Sequence, residues 1–422
     1  MDRPRRPRAG LRDLRPVPLF PHCQTIAPAG LLMSITCFRE DGVQNGDTGS
    51  LVGADGRSFS WKRNALWKVS AIAAASFLLT WAWLSILDYK FMQSDVYEYW
   101  LDSLAWRRPF NSLPWYHPDH VPGYPLLIAF LNFLTLGKVA PIALLWGVNF
   151  CAHIAGALAI YSAVASRVTE RIGYLSVLLF VLWPFIGSSF VAYPLADSVA
   201  LALLAWGATL LLRERINLAA IPLGFAATVH KGTWIFVILL LVAVIIGQRR
   251  KIPFAALVIA SLPLGVLWLA GMAWNNYAAG WLVSTNLSGH LAPKSNMPVL
   301  DGILGTTLAG GTKNVLKSLV LWVHVGMLVT LLVSFVRERN ASVKWYALAI
   351  VCGLLILFGS LNEYVIWGAV RYSKIAALPV GLYLGSHPQV AGFFLRQPWR
   401  VAVLVVLLLA SQLVFSLYMT RA

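Results

Sequence analysis

The chain has 422 residues, 58% of them hydrophobic and only 12% charged. A soluble domain carries about 25% charged residues, so this composition excludes an ordinary soluble protein. The net charge of +17 would suit a nucleic-acid binder, but membrane proteins gather Lys and Arg on their cytoplasmic loops, and that reading needs no nucleic-acid partner.

Backbone in lipid must satisfy its own hydrogen bonds, which leaves helices or a closed barrel. The apolar runs are continuous rather than alternating in short segments, and this selects helices. The expected fold is an all-α polytopic membrane protein with about eleven transmembrane helices, plus interfacial or re-entrant helices in the first outer loop.

In chain order, residues 1–63 come first. "MDRPRRPRAGLRDLRPVP" is rich in Arg and Pro, and "EDGVQNGDTGSLVGADGRS" in Gly and Asp. Neither has apolar periodicity, so the stretch reads as a disordered basic cytoplasmic tail, with 64–422 as the membrane domain. No apolar core directly follows the basic residues, so nothing there resembles a cleavable signal peptide; Met33 offers a second possible translation start. The four cysteines show no CxxC spacing that would suggest a metal or redox pair.

Spanning helices are predicted over 67–87, 139–165, 172–188, 197–212, 217–229, 233–247, 252–273, 314–336, 345–361, 372–386 and 400–418. The basic tail places the start of the first span in the cytoplasm. "GYPLLIAFLNFLTLG" at 123–137 is short and follows two prolines. If it does not span, five basic clusters fall on the cytoplasmic side together: Arg167 with Arg171, Arg213 with Arg215, Arg249 through Lys251, Arg337 through Lys344, and Arg396 with Arg400. The expectation is therefore an interfacial or re-entrant helix. The outer face then collects 88–138, the region of Asp197, "HKG" at 230–232, the loop 274–313 and "EYVIWGAVRYSK" at 363–374.

Those outer segments hold the ionisable residues that sidedness does not explain. In "SDVYEYWLDSLAW", helical spacing puts Asp95, Glu98 and Asp102 on one face and Tyr97, Leu101 and Leu104 on another. This predicts an amphipathic helix at the membrane surface, its acids either a wet face or part of a site. Asp197 opens a span; it is either an acid favoured by the helix dipole or a functional group at the membrane edge. His230, Lys231, Arg371 and Lys374 either snorkel to headgroups or form an anion site. "HPDH" at 117–120 is either a polar turn before a proline or a group that binds substrate hydroxyls through His117, Asp119 and His120; a zinc site there lacks a convincing spacing.

Taken in order, these pieces resemble the GT-C superfamily of integral membrane glycosyltransferases, which use polyprenyl-phosphate sugars as donors. The likeness runs over roughly 67–385. An outer-loop acid is closely followed by Tyr (Asp95, Tyr97). A Pro–Gly–Tyr–Pro step (Pro122 to Pro125) enters a juxtamembrane helix. A second acid, Asp197, follows "WPFIGSSFVAYPLA"; then come "HKG" and a late Arg371–Tyr372 before Pro379. No single feature is specific; the order carries the resemblance.

The resemblance implies that Asp95 is the catalytic base. It implies substrate-binding roles for Asp197, His230, Lys231, Arg371, Tyr372, His117, His120 and Tyr97. The implied reaction is an inverting transfer of a sugar, a hexose such as mannose, from a polyprenyl phosphate to an acceptor hydroxyl on a glycan, lipid or protein. It takes place at the non-cytoplasmic face of a multi-pass membrane protein. The strict DxD pair of some members is absent, so no metal cofactor is expected. The alternative is a transporter or flippase for a lipid-linked or anionic substrate. Transporters often show paired halves and charges at mid-membrane; this sequence has no internal repeat, and its notable charges lie at one face.

Overall fold

Prolines, caps and left-handed turns divide the apolar sequence into helices. The computed structural model describes residues 50–52, 58–60, 63–87, 94–106, 121–183, 191, 194–230, 232–248, 251–275, 345–346, 348–354, 375, 377–384 and 388–421. The chain divides into two units, 1–47 and 48–422, and every described residue lies in the second.

The helices are α1 (Arg63–Ile86), α2 (Ser94–Ala105), α3 (Gly123–Leu134), α4 (Pro141–Ala165), α5 (Glu170–Val181), α6 (Ala196–Leu212), α7 (Ile216–Val229), α8 (Thr233–Gln248), α9 (Phe254–Asn275), α10 (Pro388–Leu395) and α11 (Pro398–Arg421). Helical residues also lie at 345–346 and 348–354, and Ala377–Pro379 runs into a π-helical turn at Val380–Leu384. Ten of the eleven predicted spans thus contain helix among the described residues; the span at 314–336 lies outside them. Among the described residues, two helices, α1 and α4, are long and apolar enough to cross a membrane by length and composition.

Ser50–Val52 and Ser58–Ser60 pair as an antiparallel hairpin, β1–β2, with Leu51 opposite Phe59, inside the stretch expected to be disordered. An Asp–Gly pair separates two short runs that each carry an apolar residue, and Asp–Gly is a strong turn-former.

Local chemistry explains the helix ends. Pro141 stands at the start of α4, where its missing N–H costs nothing. Thr169 caps α5, its hydroxyl accepting from the Ile172 N–H, with Glu170 in the first turn. Both α3 and α6 close with paired capping bonds. Gly137 N–H reaches Asn132 O and Leu136 N–H reaches Phe133 O; Arg215 N–H reaches Leu210 O and Glu214 N–H reaches Leu211 O. Leu136 and Glu214 take the left-handed conformation with φ of 52° and 61°, a position usually given to glycine.

Helix α6 is central. Its buried residues are mostly small, including Ala196, Ala200, Ala205 and Ala208, and it packs against both α4 and α7. Helices α7 and α9 approach closely at Gly224, where a Cβ would lie 2.4 Å from the Ala260 carbonyl; small residues permit such packing in lipid. The outward faces are apolar. Ile86 and Phe254 are 76% and 79% exposed, and Leu269, Val406 and Leu407 also face outward. Exposed apolar surface on this scale is hidden only by lipid or a partner.

Side-chain bonds fix the direction of the bundle. Thr209 donates to Ala159 O, and Arg213 donates to Ser162 O and Oγ at 2.8 and 2.5 Å. Arg167 returns the bond to Leu212 O. The C-terminal ends of α4 and α6 therefore lie together at one face, each capped by an arginine from beside the other. Burial, then the neighbouring Arg215 and Arg167, pushes the Arg213 guanidinium down to about 10, which leaves it charged at neutral pH. Lys251 lies at the same face and lines a cleft of about 390 Å³ with Glu214, Ile216 and Asn217.

The opposite face holds the N-terminal ends of α4 and α6 and the C-terminal end of α7. Helix α3 has 12 residues, about 18 Å of length, against about 30 Å of hydrocarbon. Its first turn bonds beside the start of α6, and its last leads directly into α4. Its length falls short of the hydrocarbon thickness.

Candidate functional site

The face opposite the arginines is organised by a compact cluster of buried residues. Val96 and Tyr99 of α2, Tyr124 and Ile128 of α3, Leu145 of α4, Leu195 at the N-cap of α6 with Ala196 and Ala200 inside it, and Val229 of α7 form one core. Each of the first three chemically notable acidic or basic positions adjoins a member of it. Asp95, in the first turn of α2, precedes Val96; Asp197 follows Ala196; His230 follows Val229. A segment about a hundred residues before the other two is thus folded against them.

Tyr124 is the centre of this docking. It is fully buried. Its hydroxyl donates to Pro194 O at 2.7 Å and accepts from Asn149 Nδ2 at 3.0 Å. Its ring meets Tyr99 edge-on, with centroids 5.1 Å apart. Burial holds the phenol far above its ordinary pKa; the Asn149 bond opposes this and the nearby Asp197 carboxylate adds to it. Tyr124 therefore stays a donor to the Pro194 carbonyl. Beside it, a Cβ on Gly123 would lie 2.5 Å from Thr228 O, so the start of α3 rests directly on the end of α7. Only glycine permits that approach.

Asp197 and His230 meet. His230 Nε2 lies 2.8 Å from Asp197 Oδ1, with both side chains buried. The Gly232 N–H donates to His230 Nδ1 at 3.1 Å. Thr233 reinforces the turn, its hydroxyl reaching Ala226 O at 2.8 Å and His230 O at 2.6 Å. Two residues 33 positions apart in the chain, each singled out separately from the sequence, form one pair that ties the first turn of α6 to the α7–α8 connection.

The orientation of α2 favours one of the two readings of its acids at Asp102. Asp102 is fully buried, together with Val96, Tyr99 and Ser103, whereas Tyr97 is 49% exposed. The face carrying the acids by helical spacing turns inward at Asp102, and the Tyr97 face turns out. Packing against α3 decides this: Val96 and Tyr99 are the residues that fit the Tyr124 core, and they flank the acidic face. Among the other residues singled out from sequence, His117, Asp119, His120, Lys231, Arg371, Tyr372 and Lys374 lie outside the described residues. Pro379 is buried in the helical segment that leads into the π turn.

Sequence reasoning passed over Tyr99 and Asn149; Tyr124 entered it only within the Pro122–Pro125 step, and Asp102 only as one of three acids sharing a helix face. One signal was present for Asn149: it is a polar residue in the apolar run "LLWGVNFCAHIAG", one helical turn before His153, and both are fully buried.

The architecture is an all-α polytopic membrane fold that solved structures share. Two solved structures make the likeness concrete. ArnT from Cupriavidus metallidurans, bound to undecaprenyl phosphate, aligns over 86% of this chain and 76% of its own, with 12% identity and a TM-score of 0.54. The apo oligosaccharyltransferase of Archaeoglobus fulgidus aligns over 85% of this chain, with 13% identity and a TM-score of 0.50. This chain spans 56% of that archaeal structure's length. At these identities the likeness is one of fold. No protein-family profile matches the sequence, and no curated protein matches it.

Proposed function

We propose that the protein is a membrane glycosyltransferase that moves a sugar, a hexose such as mannose, from a polyprenyl-phosphate donor to an acceptor hydroxyl. The carrying observation is the single core that draws the first turn of α2, bearing Asp95, to the Asp197–His230 pair. The shared fold, and the undecaprenyl phosphate held by ArnT, support a lipid-phosphate donor.

The chemistry asks little more than this arrangement offers. A sugar on a phosphodiester already carries a good leaving group, so departure needs charge stabilisation rather than protonation. In this reading Asp95 takes the proton from the acceptor hydroxyl as its oxygen attacks the anomeric carbon. The bond to the donor phosphate breaks in the same displacement, and the anomeric centre inverts. Positioned general bases contribute about 10²–10⁴-fold. Lys231 and Arg371 hold the donor phosphate and steady the charge that develops on it. Asp197 orders the neighbouring turn, while Tyr97, Tyr372, His117 and His120 contact the sugar or acceptor. This chemistry does not require a metal.

Sidedness supports the placement. The positive-inside rule reads the face of Arg167, Arg213 and Lys251 as cytoplasmic, which supports a site at the non-cytoplasmic leaflet. A long isoprenoid is retained in the bilayer by about 0.8 kcal/mol per buried CH₂, so the base must come to the membrane surface. The test is sugar transfer by purified full-length protein in liposomes, using a radiolabelled polyprenyl-phosphate hexose. Asp95→Asn should lower transfer by about 10²–10⁴-fold while insertion and thermal stability are retained. Wild-type transfer by the Asn variant, or flipping of the labelled lipid without any transfer product, would overturn the reading; the latter would favour a flippase.

A further inference from the structure

The cleft at the arginine face is lined by groups of both charges. Glu214 belongs to the turn between α6 and α7, Ile216 and Asn217 open α7, and Lys251 and Pro253 precede α9. Glu214, Asn217 and Lys251 are exposed. The Lys251 ammonium makes no ion pair among the described residues. The lining therefore offers a cation, a carboxylate and an amide, with no net charge. A simple anion held on Lys251 would have the Glu214 carboxylate set against it. A ligand carrying both signs would not.

Apolar stripes begin at residues of this lining. On α7, Asn217, Ile221 and Phe225 follow one another at four-residue steps; on α9, Leu257 lies four residues beyond Pro253. Ile221, Phe225 and Leu257 are exposed, as are Leu218 and Phe254 beside them. Both helices start at the cleft and pack together where Gly224 meets Ala260, so the two stripes lead away from it in one direction. The rise from Asn217 to Phe225 is about 12 Å, against about 15 Å of hydrocarbon in one leaflet. A charged cleft continuous with apolar stripes fits an amphiphile rather than a soluble ion. We propose that the cleft is a headgroup site for phosphatidylethanolamine of the adjoining leaflet. Lys251 holds the lipid phosphate, the Glu214 carboxylate accepts from its ammonium, and Asn217 donates to a phosphate oxygen. The acyl chains lie along the stripes. Cationic pockets between membrane helices bind phospholipid headgroups in this way. The bound lipid ties the α6–α7 turn to the α8–α9 connection.

The two charges can be removed separately. Lys251→Gln takes away the cation that meets the phosphate, a group that phosphatidylethanolamine shares with phosphatidylcholine. Glu214→Gln takes away the carboxylate that meets the ammonium, and the quaternary ammonium of phosphatidylcholine has no N–H to give it. Each contact is one hydrogen bond, worth about 2- to 12-fold in affinity. Native mass spectrometry of the full-length protein in detergent reads the apparent Kd for each probe. The probes are phosphatidylethanolamine, phosphatidylcholine, phosphatidylglycerol and soluble phosphoethanolamine. Circular dichroism checks that each variant is folded, and the comparison among lipids on the wild type needs no variant at all.

The wild type is expected to prefer phosphatidylethanolamine to the other two lipids by about 2- to 12-fold. Lys251→Gln should weaken phosphatidylethanolamine and phosphatidylcholine alike. Glu214→Gln should weaken phosphatidylethanolamine alone, and so erase its advantage over phosphatidylcholine. Soluble phosphoethanolamine, which has no chains to bury, should bind more weakly than the lipid by about tenfold or more. Phosphatidylglycerol binding as tightly as phosphatidylethanolamine, or more so, would overturn the proposal by showing an anion site. Equal affinity for soluble phosphoethanolamine would overturn it by showing that the stripes hold no chains. Lipid affinities that neither substitution changes would also overturn it, since the lipid would then be bound elsewhere.

Discussion

Replacing Tyr124 by Phe removes one oxygen atom from the centre of the docking core and should be costly. The ring stays, and with it the edge-on contact to Tyr99 at 5.1 Å. The hydroxyl takes away a 2.7 Å bond to Pro194 O and a 3.0 Å bond from Asn149 Nδ2. Pro194 is buried, so its carbonyl loses a donor that water cannot replace, at about 1–3 kcal/mol. Asn149 keeps its bond to Leu145 O, so its loss is smaller, about 0.5 kcal/mol at the low end for a hydrogen bond. The sum is about 1.5–3.5 kcal/mol. Equilibrium unfolding of the full chain in mixed micelles, titrated with SDS, reads this directly. A double-mutant cycle with Asn149→Ala should give a coupling of about 0.5–1 kcal/mol. If Tyr124→Phe unfolds within about 0.5 kcal/mol of wild type, a difference expected of an ordinary surface change, the hydroxyl does not hold α3 to α6 and the argument for convergence fails at its centre.

Three further outcomes follow from the same geometry. Gly123→Ala drives a Cβ to 2.5 Å from the Thr228 backbone oxygen; the same SDS titration should show a loss of about 1–3 kcal/mol, the usual cost of overpacking, with transfer activity falling too. Arg213→Ala removes the bonds to Ser162 at the opposite face; it should cost about 1–2 kcal/mol after allowance for its partial exposure, yet leave undecaprenyl phosphate affinity unchanged in a nanodisc titration. EDTA should not slow sugar transfer in liposomes; a loss of activity restored by added Mg²⁺ or Mn²⁺ would show that a metal takes part.

The helices were legible because apolar length and proline punctuation are local signals. The predicted span at 139–165 and the observed Pro141–Ala165 differ by two residues at the start, and 197–212 and Ala196–Leu212 by one. The ends of α3 and α6 were harder, because Leu136 and Glu214 occupy a turn position that sequence normally flags with glycine. The hairpin at 50–60 was hidden in a Gly- and Asp-rich stretch whose apolar residues, Leu51, Val52 and Phe59, are too few to show a period.

Within the site, Asp197 and His230 were visible as ionisable residues at the edges of apolar runs. Their pairing was not, since nothing in either segment names its partner across 33 positions. The buried face of α2 stayed open in the sequence for a related reason. Its spacing shows two faces, but which one is buried depends on α3, whose buried tyrosine selects Val96 and Tyr99 as partners. Polar residues such as Asp102 then turn inward with them, a tertiary effect outside the reach of periodicity.

The claim on which the account rests is that Asp95 and the His230–Gly232 turn face one lipid-linked phosphate at the end of the bundle opposite Arg167 and Arg213. A cryo-EM structure of the full-length protein with undecaprenyl phosphate tests it most directly. The account predicts phosphate density beside the His230–Gly232 turn, with the Asp95 carboxylate turned toward it across a gap that one sugar ring fills. Phosphate density at the arginine face, or Asp95 more than about 20 Å from the phosphate (the reach of some six extended residues), would contradict it.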